Sequence, residues 1–512
     1  MNTVGPAGAP DRGLRRASAE PAPAPAALSG GADGPRALRP LLDTVLAALE
    51  AGAARRAGPV PAGTPERLAR LVDAEFRRPG ADGDALARLT ELLAHGSADP
   101  ADPACAAHLH CPPLAVAVAA DLAVSALNPS QDSWDQAPAA TALETVLIAE
   151  LAALVGFPQG ATGVLTSGGT ESNLMGLMLA RDQILDGIVE VDGLPAGVRP
   201  LIFASQAAHF SVQRAAALLG LGERAVVPVP VDAGLRMDPA ALALAMAEAV
   251  WQGATPLAVV ATAGTTDTGA VDPLHPAADL AARYGAWLHV DAAYGGGALL
   301  SDRLAPLLDG VSRADSVSLD WHKLGWQPAA AGVFLARRAE TYVSLLRRAA
   351  YLNPADDEEA GYPSLLGLSL RTTRRADAFK LAVTLRTLGR AGLGRLVDAC
   401  HELALATAEA VRAEPALELL CPPVLTTVVF RYLPAGAADP AEADRINAEV
   451  RRVLLREGRA VVGRTELPGG GLGRVRLKLT LLNPNTRPEQ AGELLRAVVR
   501  AGREAERTGG GG

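Results

Sequence analysis

Short apolar segments of the chain end in small, polar or ionisable residues. The first of them, 163–166, is followed by Ser167-Gly168-Gly169-Thr170, a turn of glycines and hydroxyls that leads into a helical pattern. Glycines allow close backbone approach, and the free N–H groups of a helix N-terminus bind phosphate. The turn alone is a weak signal, because an ordinary strand–turn–helix junction can have the same residues.

An ionisable side chain follows three of the other segments. His209 can stack on a flat ligand, although a lone histidine at a strand end is more often packed and hydrogen-bonded. Asp291 directly follows a buried run, so its carboxylate requires a cationic partner, either a core arginine or a ligand. Lys323 ends the segment Asp-Trp-His-Lys, and a lysine is rarely buried unless it is paired or chemically used.

Together these residues indicate a particular ligand more specifically than any one of them does alone. A phosphate-binding turn, a ring-stacking imidazole, an acid for a ring nitrogen and an amine for an aldehyde together describe pyridoxal 5′-phosphate. The remaining segment ends in Gly264-Thr265-Thr266, whose small hydroxyl residues suit either a ligand contact or a plain turn. Because ligands bind at the carboxyl ends of strands in a parallel α/β sheet, we expect these residues to meet in one site.

The apolar segments are short and do not alternate cleanly, which is typical of strands buried on both faces of a mostly parallel sheet. Helical patterns separate several of them, so the predicted fold class is α/β. The predicted strands are 163–166, 201–205, 257–262, 287–290, 316–319 and 332–335, with two more at 424–430 and 474–480.

Five regions follow from the same patterns. They are a disordered tail (1–35), a helical N-terminal segment (36–114), a large cofactor-binding domain (115–390), a small C-terminal α/β domain (391–505) and a second disordered tail (506–512). Within the N-terminal segment, Thr64-Pro65-Glu66 predicts one helix start and Asp84 caps another that begins at Ala85.

The composition is that of a globular enzyme: 512 residues, 49% hydrophobic and 20% charged, with a net charge of −8. No basic surface is indicated, so we do not expect a nucleic-acid partner. The four cysteines form no CxxC pair and no disulfide framework, which favours a reducing compartment and argues against a zinc site. We expect a cytoplasmic protein without a secretory signal, a membrane segment or a metal.

The sequence resembles the group II pyridoxal-phosphate-dependent amino acid decarboxylases, the family of aromatic amino acid, glutamate and 2,4-diaminobutyrate decarboxylases. The matching segments include HLHCPP (108–113), TSGGTESNL (166–174), SQAAHFSVQRAA (205–216), TAGTTDTGAVDPL (262–274), WLHVDAAYGG (287–296), DSVSLDWHK (315–323) and LRTTRRADAFKL (370–381). The resemblance is closest to the diaminobutyrate decarboxylase branch.

The resemblance implies a fold-type I enzyme, similar to aspartate aminotransferase, that forms a homodimer with its site at the subunit interface. Lys323 would bind the cofactor covalently, and Asp291 would pair with its pyridine nitrogen. His209 and Ala293 would lie on opposite faces of the ring. The resemblance further places Gly168, Gly169, Thr170 and His322 near the phosphate, and Thr266 near the ring.

The proton donor and the substrate are less defined. In the family, a loop after the lysine commonly provides a tyrosine to the partner subunit's site, and within 351–363 we favour Tyr362 over Tyr351. The low aromatic content, 4%, favours a polar or diamino substrate such as L-2,4-diaminobutyrate, with lysine, ornithine and glutamate as alternatives. His110 and Cys111 are candidates for the pocket wall.

Two other functions remain open at this point. The same scaffold supports aminotransferases and β-elimination lyases, which differ in the bond that they break at Cα. A decarboxylase-like protein that only binds is the second alternative, and it is disfavoured because every expected cofactor-contact position retains a suitable residue.

Overall fold

The computed structural model describes residues 27–79, 83–185, 189–346, 349, 351–435, 439–467 and 473–509. In this range the chain forms a large seven-stranded sheet, a smaller four-stranded sheet and helices around both. Most of the predicted N-terminal tail, residues 1–26, lies outside the described residues.

The helices are α1 (Gly34–Arg56), α2 (Pro65–Phe76), α3 (Ala85–Gly96), α4 (Ala115–Leu127), α5 (Pro138–Val155), α6 (Gly169–Ile184), α7 (Val189–Asp192), α8 (Ser211–Leu218), α9 (Pro239–Trp251), α10 (Leu274–Tyr284), α11 (Ala355–Glu359), α12 (Ala378–Ala413), α13 (Pro440–Arg456) and α14 (Pro488–Gly509). The strands are β1 (Thr162–Thr166), β2 (Pro200–Ser205), β3 (Val226–Val229), β4 (Thr255–Thr262), β5 (Trp287–Ala292), β6 (Ser316–Asp320), β7 (Gly332–Ala336), β8 (Leu417–Leu419), β9 (Thr427–Tyr432), β10 (Gly463–Glu466) and β11 (Val475–Thr480).

The large sheet has the strand order β1-β7-β6-β5-β4-β2-β3. Strand β7 runs antiparallel to both of its neighbours, and the other pairs are parallel. The predicted α/β class is therefore confirmed, and all six predicted strands of this sheet are present. Only the edge strand β3 was missed, because Pro228 interrupts its short apolar run.

The central strands are buried on both faces, as their lack of alternation predicts. In β4, Val259 and Ala261 belong to the core on one side of the sheet, whereas Ala258 and Val260 belong to the core on the other side. Helix-covered faces on both sides make this sheet a rigid platform whose strand ends can hold a site.

The smaller sheet is antiparallel, with the order β10-β11-β9-β8, and has a hydrophobic core of its own. The predicted strand 474–480 corresponds to β11, and the predicted strand 424–430 begins later, at Thr427. Strands β8 and β10 were missed because three or four residues are too few to show a period.

Helices α2 and α3 begin at Pro65 and Ala85, where their start signals predict. Two predictions at the chain's ends require correction. Helix α1 begins at Gly34, and α14 continues to Gly509, so residues 34–35 and 506–509 are helical rather than disordered. Helix α12 has non-helical backbone at Gly389, next to the predicted boundary at 390; the domain boundaries themselves stay predictions.

By length and composition, one described helix, α5, could cross a membrane. Its buried face, however, packs into the main core through Leu147, Leu151 and Val155. Glu144 on the same face forms an ion pair with Arg374, and both side chains are 1% exposed. A helix that buries its apolar face and an ion pair inside the protein has the character of a core helix.

Candidate active site

A cavity of about 470 Å³ opens at the carboxyl ends of the central strands. Its volume lies within the usual range for small-molecule sites. All nine residues predicted to contact the cofactor line it: Gly168, Gly169, Thr170, His209, Thr266, Asp291, Ala293, His322 and Lys323. It is also lined by Leu109, Ser167, Asn173, Thr262, Gly264, Tyr294 and Asp320.

The glycine turn forms one wall of the cavity. Gly168 has φ 149°, a conformation that side-chain-bearing residues rarely adopt, and α6 begins at the next residue. A Cβ added to Gly169 would lie 2.9 Å from the Cβ of Ala293 and would close the gap between the turn and β5. The turn therefore holds the first amides of a helix open toward the cavity, as phosphate binding requires.

Lys323 lies in the turn that follows β6, with its side chain 18% exposed. Its Nζ is 2.9 Å from Oδ2 of Asp320, a residue that the sequence analysis did not assign to the site. His322 Nε2 is 3.6 Å from the same oxygen. Burial lowers the pKa of the His322 imidazole. The lysine is thus held by a buried carboxylate at the floor of the cavity.

Asp291 is the penultimate residue of β5 and is 6% exposed. Its Oδ2 accepts a hydrogen bond from Asn173 Nδ2 at 2.7 Å, and its Oδ1 accepts from the Ala293 amide at 3.1 Å. Ser318 Oγ lies 3.3 Å from the same Oδ1, but its single hydrogen is directed to Asn173 Oδ1, which is closer at 2.9 Å. These hydrogen bonds fix the orientation of the carboxyl group. The predicted partner of a ring nitrogen is therefore a buried, hydrogen-bonded side chain that lines the cavity.

A buried polar layer beneath Asp291 fixes the Asn173 amide. Asn173 Oδ1 accepts from His289 Nε2 and from Ser318 Oγ, each at 2.9 Å, so Nδ2 must face Asp291. His289 Nδ1 lies 2.8 Å from Ser316 Oγ, which also accepts from Trp287 Nε1. Burial lowers the pKa of the His289 imidazole, which keeps it neutral.

The same hydrogen bonds determine the protonation and the tautomer of the His209 imidazole. Asn173 Nδ2 donates to Ser211 Oγ at 2.9 Å, so the Ser211 hydroxyl directs its hydrogen to Nδ1 of His209, also at 2.9 Å. Burial lowers the pKa of His209. A neutral His209 that accepts at Nδ1 carries its proton on Nε2.

The cavity is tied to the small sheet at two points. Tyr294 Oη lies 2.8 Å from Thr426 Oγ1 and 2.9 Å from Thr427 Oγ1. From β11, Lys478 Nζ donates to the Thr266 carbonyl at 3.1 Å and pairs with Asp267 at 2.9 Å. Residues of the small sheet therefore position two residues that line the cavity.

Three predicted site residues lie elsewhere in this chain. Tyr362 is 51% exposed and lines a separate cavity with Trp134 and Asp135; whether it serves a partner's site stays a prediction. His110 is exposed, and Cys111 is buried with its Sγ 3.2 Å from the His322 carbonyl. From this segment Leu109 lines the cavity, whereas the contact of His110 and Cys111 with a substrate stays a prediction.

Sequence reasoning missed Asn173, Asp320, Tyr294 and Leu109. All four lie within the matching segments quoted above, so their positions were available from the sequence but their contacts were not. Asn173 lies on a helix, one turn after the glycines, and only the tertiary structure directs it to Asp291. Among the described residues, no group of three histidine, cysteine or acidic side chains is arranged to hold a metal ion.

The residues fit pyridoxal 5′-phosphate. The glycine turn leaves room that a Cβ would fill, and a lysine amine and a buried carboxylate occur in the same cavity. Within the described chain, Asp320 Oδ1 and His322 Nδ1 are buried without a hydrogen-bond partner. Unpaired polar atoms beside a glycine turn are expected where a polar ligand group completes the site.

Comparison with known proteins agrees with this chemistry. The conserved domain of the pyridoxal-dependent decarboxylases matches residues 65–433. The L-2,4-diaminobutyrate decarboxylase of Rhizobium meliloti (strain 1021) is 44% identical over 404 residues, which are 79% of each chain. The enzyme of the same name from Acinetobacter baumannii is 40% identical over 82% of this chain and 84% of its own.

Solved structures show the same fold. The glutamate decarboxylase domain of diaminobutyrate-pyruvate transaminase and L-2,4-diaminobutyrate decarboxylase from Vibrio parahaemolyticus has a TM-score of 0.83 at 34% identity, over 93% of this chain and 98% of that one. Oryza sativa TDC, solved with PLP and tryptamine, has a TM-score of 0.83 at 28% identity, over the same shares.

The fold and the site define a pyridoxal-phosphate enzyme of the α/β class. The chain belongs to the pyridoxal-dependent decarboxylase family. It is accordingly a carboxy-lyase that uses pyridoxal phosphate, and the predicted family, cofactor and reaction class are confirmed.

Proposed function

We propose that this enzyme removes the α-carboxylate of L-2,4-diaminobutyrate, releasing carbon dioxide and the corresponding diamine. The observation that carries the proposal is the cavity in which Lys323, Asp291 and the glycine turn converge. The substrate is supported by two relatives that carry this enzyme name at 44% and 40% identity. The low aromatic content agrees with a polar substrate.

Bound pyridoxal phosphate supplies an aldehyde for amine exchange and a ring that accepts the electrons left on Cα when carbon dioxide departs. Lys323 is the amine that would hold the group. The amides of the Gly168–Thr170 turn and the Thr170 hydroxyl would bind the phosphate. Asp291 would favour a protonated ring nitrogen, because a nearby anion favours the charged form of a cation.

The remaining residues would orient the cofactor ring and the substrate. Ala293 and His209 line the cavity and would lie on the two faces of the ring, and the small Ala293 side chain would leave room for it beside β5. The Asn173–Ser211 hydrogen bonds hold His209 neutral with its Nε2 proton available as a donor. A decarboxylase must set the Cα–carboxylate bond perpendicular to the ring, and a fixed donor can hold one substrate oxygen in that orientation.

The test is a product assay on the purified, cofactor-loaded enzyme with 2,4-diaminobutyrate, lysine, ornithine, glutamate and the common amino acids. We expect one amine to appear with an equal amount of carbon dioxide, and mass spectrometry of the mixture identifies it. A keto acid without gas would instead establish an aminotransferase, and a different amine would replace the proposed substrate.

Borohydride reduction followed by peptide mapping tests the cofactor site. The pyridoxyl group should be found on Lys323 and be absent from a Lys323→Ala variant. A protein that stays colourless after incubation with pyridoxal phosphate would favour the non-catalytic alternative.

We also propose that two copies form a cytoplasmic homodimer. Support comes from apolar side chains that one chain leaves exposed, among them Leu46, Phe76 and Leu93 on the N-terminal helices and Val146 on α5. The four free cysteines suit a reducing compartment. Light scattering should give twice the chain mass, and a fully active monomer would contradict the dimer. Fractionation of the producing cells tests the location.

A further inference from the structure

One segment that carries the family resemblance, LRTTRRADAFKL (370–381), has no place in the site described so far. The structure describes all of its residues, and none of them lines the cofactor cavity. Each of its three arginines forms an ion pair with a carboxylate on a helix: Arg371 with Glu171 of α6, Arg374 with Glu144 of α5 and Arg375 with Asp121 of α4. The segment therefore acts on the elements around the cavity.

Two of these ion pairs meet at the outer side of β1, which is an edge strand of the large sheet. The Leu165 amide donates to Glu144 Oε1 at 3.1 Å, and the Leu165 carbonyl accepts from Arg371 Nη2 at 2.9 Å. An edge strand leaves such backbone groups unpaired unless another part of the protein covers them. Side chains thus fix the end of β1 immediately before the chain enters the glycine turn.

Glu171 connects this edge to the turn itself. Its Oε2 accepts from the Ser167 amide at 2.7 Å, and its Oε1 accepts from Arg371 Nε at 2.9 Å. An acid in the first turn of a helix that binds a preceding backbone amide fixes the start of that helix. The next amides, those of the Gly168–Thr170 turn, have no acceptor within the helix and can bind a phosphate.

This contact also places a carboxylate close to the site of an anion. The Glu171 side chain is 12% exposed, so water and salt screen its charge little, and its partner Ser167 lines the cofactor cavity. Without a cation, Glu171 would repel the phosphate. Arg371 supplies the cation, and its planar fork reaches the Glu171 carboxylate and the Leu165 carbonyl at the same time.

We propose that Arg371 is a positioning residue for the cofactor. It neutralises Glu171 and fixes the end of β1, so that the Gly168–Thr170 turn can hold the phosphate. This inference rests on the proposed binding of the phosphate by that turn. Arg371 is 200 residues from Glu171 in the chain and acts through it, without contact with the ligand.

Titration of the cofactor-free protein, followed by absorbance, tests the proposal with two ligands. Arg371→Gln should bind pyridoxal phosphate about tenfold more weakly than the parent, because Glu171 is left unpaired, but should bind pyridoxal, which has no phosphate, as the parent does. Arg371→Lys retains the charge and should stay within about threefold for both ligands. An equal loss for both ligands in Arg371→Gln would mean that Arg371 supports the site as a whole, and would overturn the proposal.

A double-mutant cycle tests whether Arg371 acts through Glu171. Glu171→Gln removes the charge that Arg371 neutralises, while its amide oxygen can still accept from Ser167. In this background, Arg371→Gln should change the affinity for pyridoxal phosphate by less than about twofold. The same tenfold loss in both backgrounds would contradict the proposed role.

Arg313→Gln is the matched control. Arg313 is 37% exposed, against 34% for Arg371, and pairs with Asp279 at 2.6 Å. It precedes the first residue of β6, at the opposite end of the strands from the cavity, so this variant should bind both ligands as the parent does. A loss equal to that in Arg371→Gln would show that surface charge in general sets the affinity. Circular dichroism of the cofactor-free variants verifies that they fold.

The proposed function fails separately. Borohydride labelling of a residue other than Lys323 would remove the proposed cofactor site and this inference with it. Labelling of Lys323, together with equal affinity for pyridoxal phosphate in the parent and in Arg371→Gln, would remove only the role of Arg371.

Discussion

Asn173 illustrates how one side chain can set the state of several others. Its carbonyl accepts two hydrogen bonds from the buried layer, so its amino group must serve both Asp291 and Ser211. Neither the orientation of the acid nor the tautomer of His209 is free once this amide is fixed. Asn173 lies in the matching segment 166–174, but no role was predicted for it from the sequence; its contacts nevertheless orient both Asp291 and Ser211.

Replacement of Asn173 should therefore impair turnover more than substrate binding. In Asn173→Ala, Asp291 loses its shortest hydrogen bond and Ser211 is free to rotate away from His209. We expect kcat to fall by about tenfold or more, KM to change less, and stability to drop by about 1–3 kcal/mol because His289 loses its acceptor. Steady-state kinetics and urea unfolding measure the two effects, with the exposed Asn485→Ala as control. An unchanged kcat in Asn173→Ala would contradict the positioning role.

His289 makes the stability of the protein sensitive to acid. Burial lowers its pKa in the folded protein below the ordinary value of 6.5, so the unfolded chain binds a proton that the folded chain does not. The stabilising effect of the neutral form is complete above pH 6.5 and is lost as the pH falls below it, by up to about 1.4 kcal/mol per pH unit.

Urea unfolding between pH 7.5 and 5.5 measures this dependence. His289→Gln keeps a donor for Asn173 but cannot be protonated, so its stability should fall less steeply with acid than that of the parent. The exposed His110→Gln is the matched control and should retain the parent slope. Equal slopes for the parent and His289→Gln would show that another group carries the acid sensitivity.

At the scale of elements, the site depends on how closely β1, β5 and β7 approach the glycine turn. A Cβ added to Gly332 of β7 would lie 2.5 Å from backbone atoms of Gly168, and one added to Gly169 would meet Ala293 at the end of β5. The turn is therefore held between two strands without space for side chains. At these two positions glycine lets the strands and the turn pack closely, and in the turn it also lets a ligand approach the backbone.

Gly169→Ala should weaken cofactor binding by more than about tenfold, because the added methyl group pushes the turn away from Ala293 and displaces its amides. The dissociation constant for pyridoxal phosphate, measured by absorbance, tests this. Gly492→Ala is the control, since its Cβ would meet only the flexible end of Arg496 at 3.5 Å. Unchanged affinity in Gly169→Ala would mean that the turn does not hold the phosphate.

At the scale of the whole molecule, the small sheet is part of the site's support. Lys478 is 8% exposed and reaches from β11 to the Thr266 carbonyl, while Tyr294 reaches the opposite way to Thr426. The two contacts fix the small sheet against the mouth of the cavity. Substitutions in the small sheet should therefore weaken cofactor binding, although they lie in a different sheet from the cofactor-binding residues.

Lys478→Met retains most of the buried stem but removes both polar contacts to residues 266 and 267. Asp267 is partly exposed and solvent screens its charge, so the stability loss should be only about 1 kcal/mol. Cofactor affinity should fall several-fold because Thr266 loses its support, and Lys478→Arg should recover part of it. Parallel measurement of both quantities distinguishes positioning from general destabilisation, which would lower stability without a matching change in affinity.

The sequence by itself determined the α/β class, six strands of the large sheet, the cofactor and nine residues that line its cavity. These predictions succeed because buried parallel strands have a local apolar signature. Chain order then places the carboxyl ends of these strands at one edge of the sheet. The tertiary structure alone decided that Asp320 pairs with Lys323, that Asn173 turns toward Asp291, and that Leu109 lines the cavity. Such contacts join residues far apart in the chain, and their donors and acceptors depend on packing that no local pattern encodes.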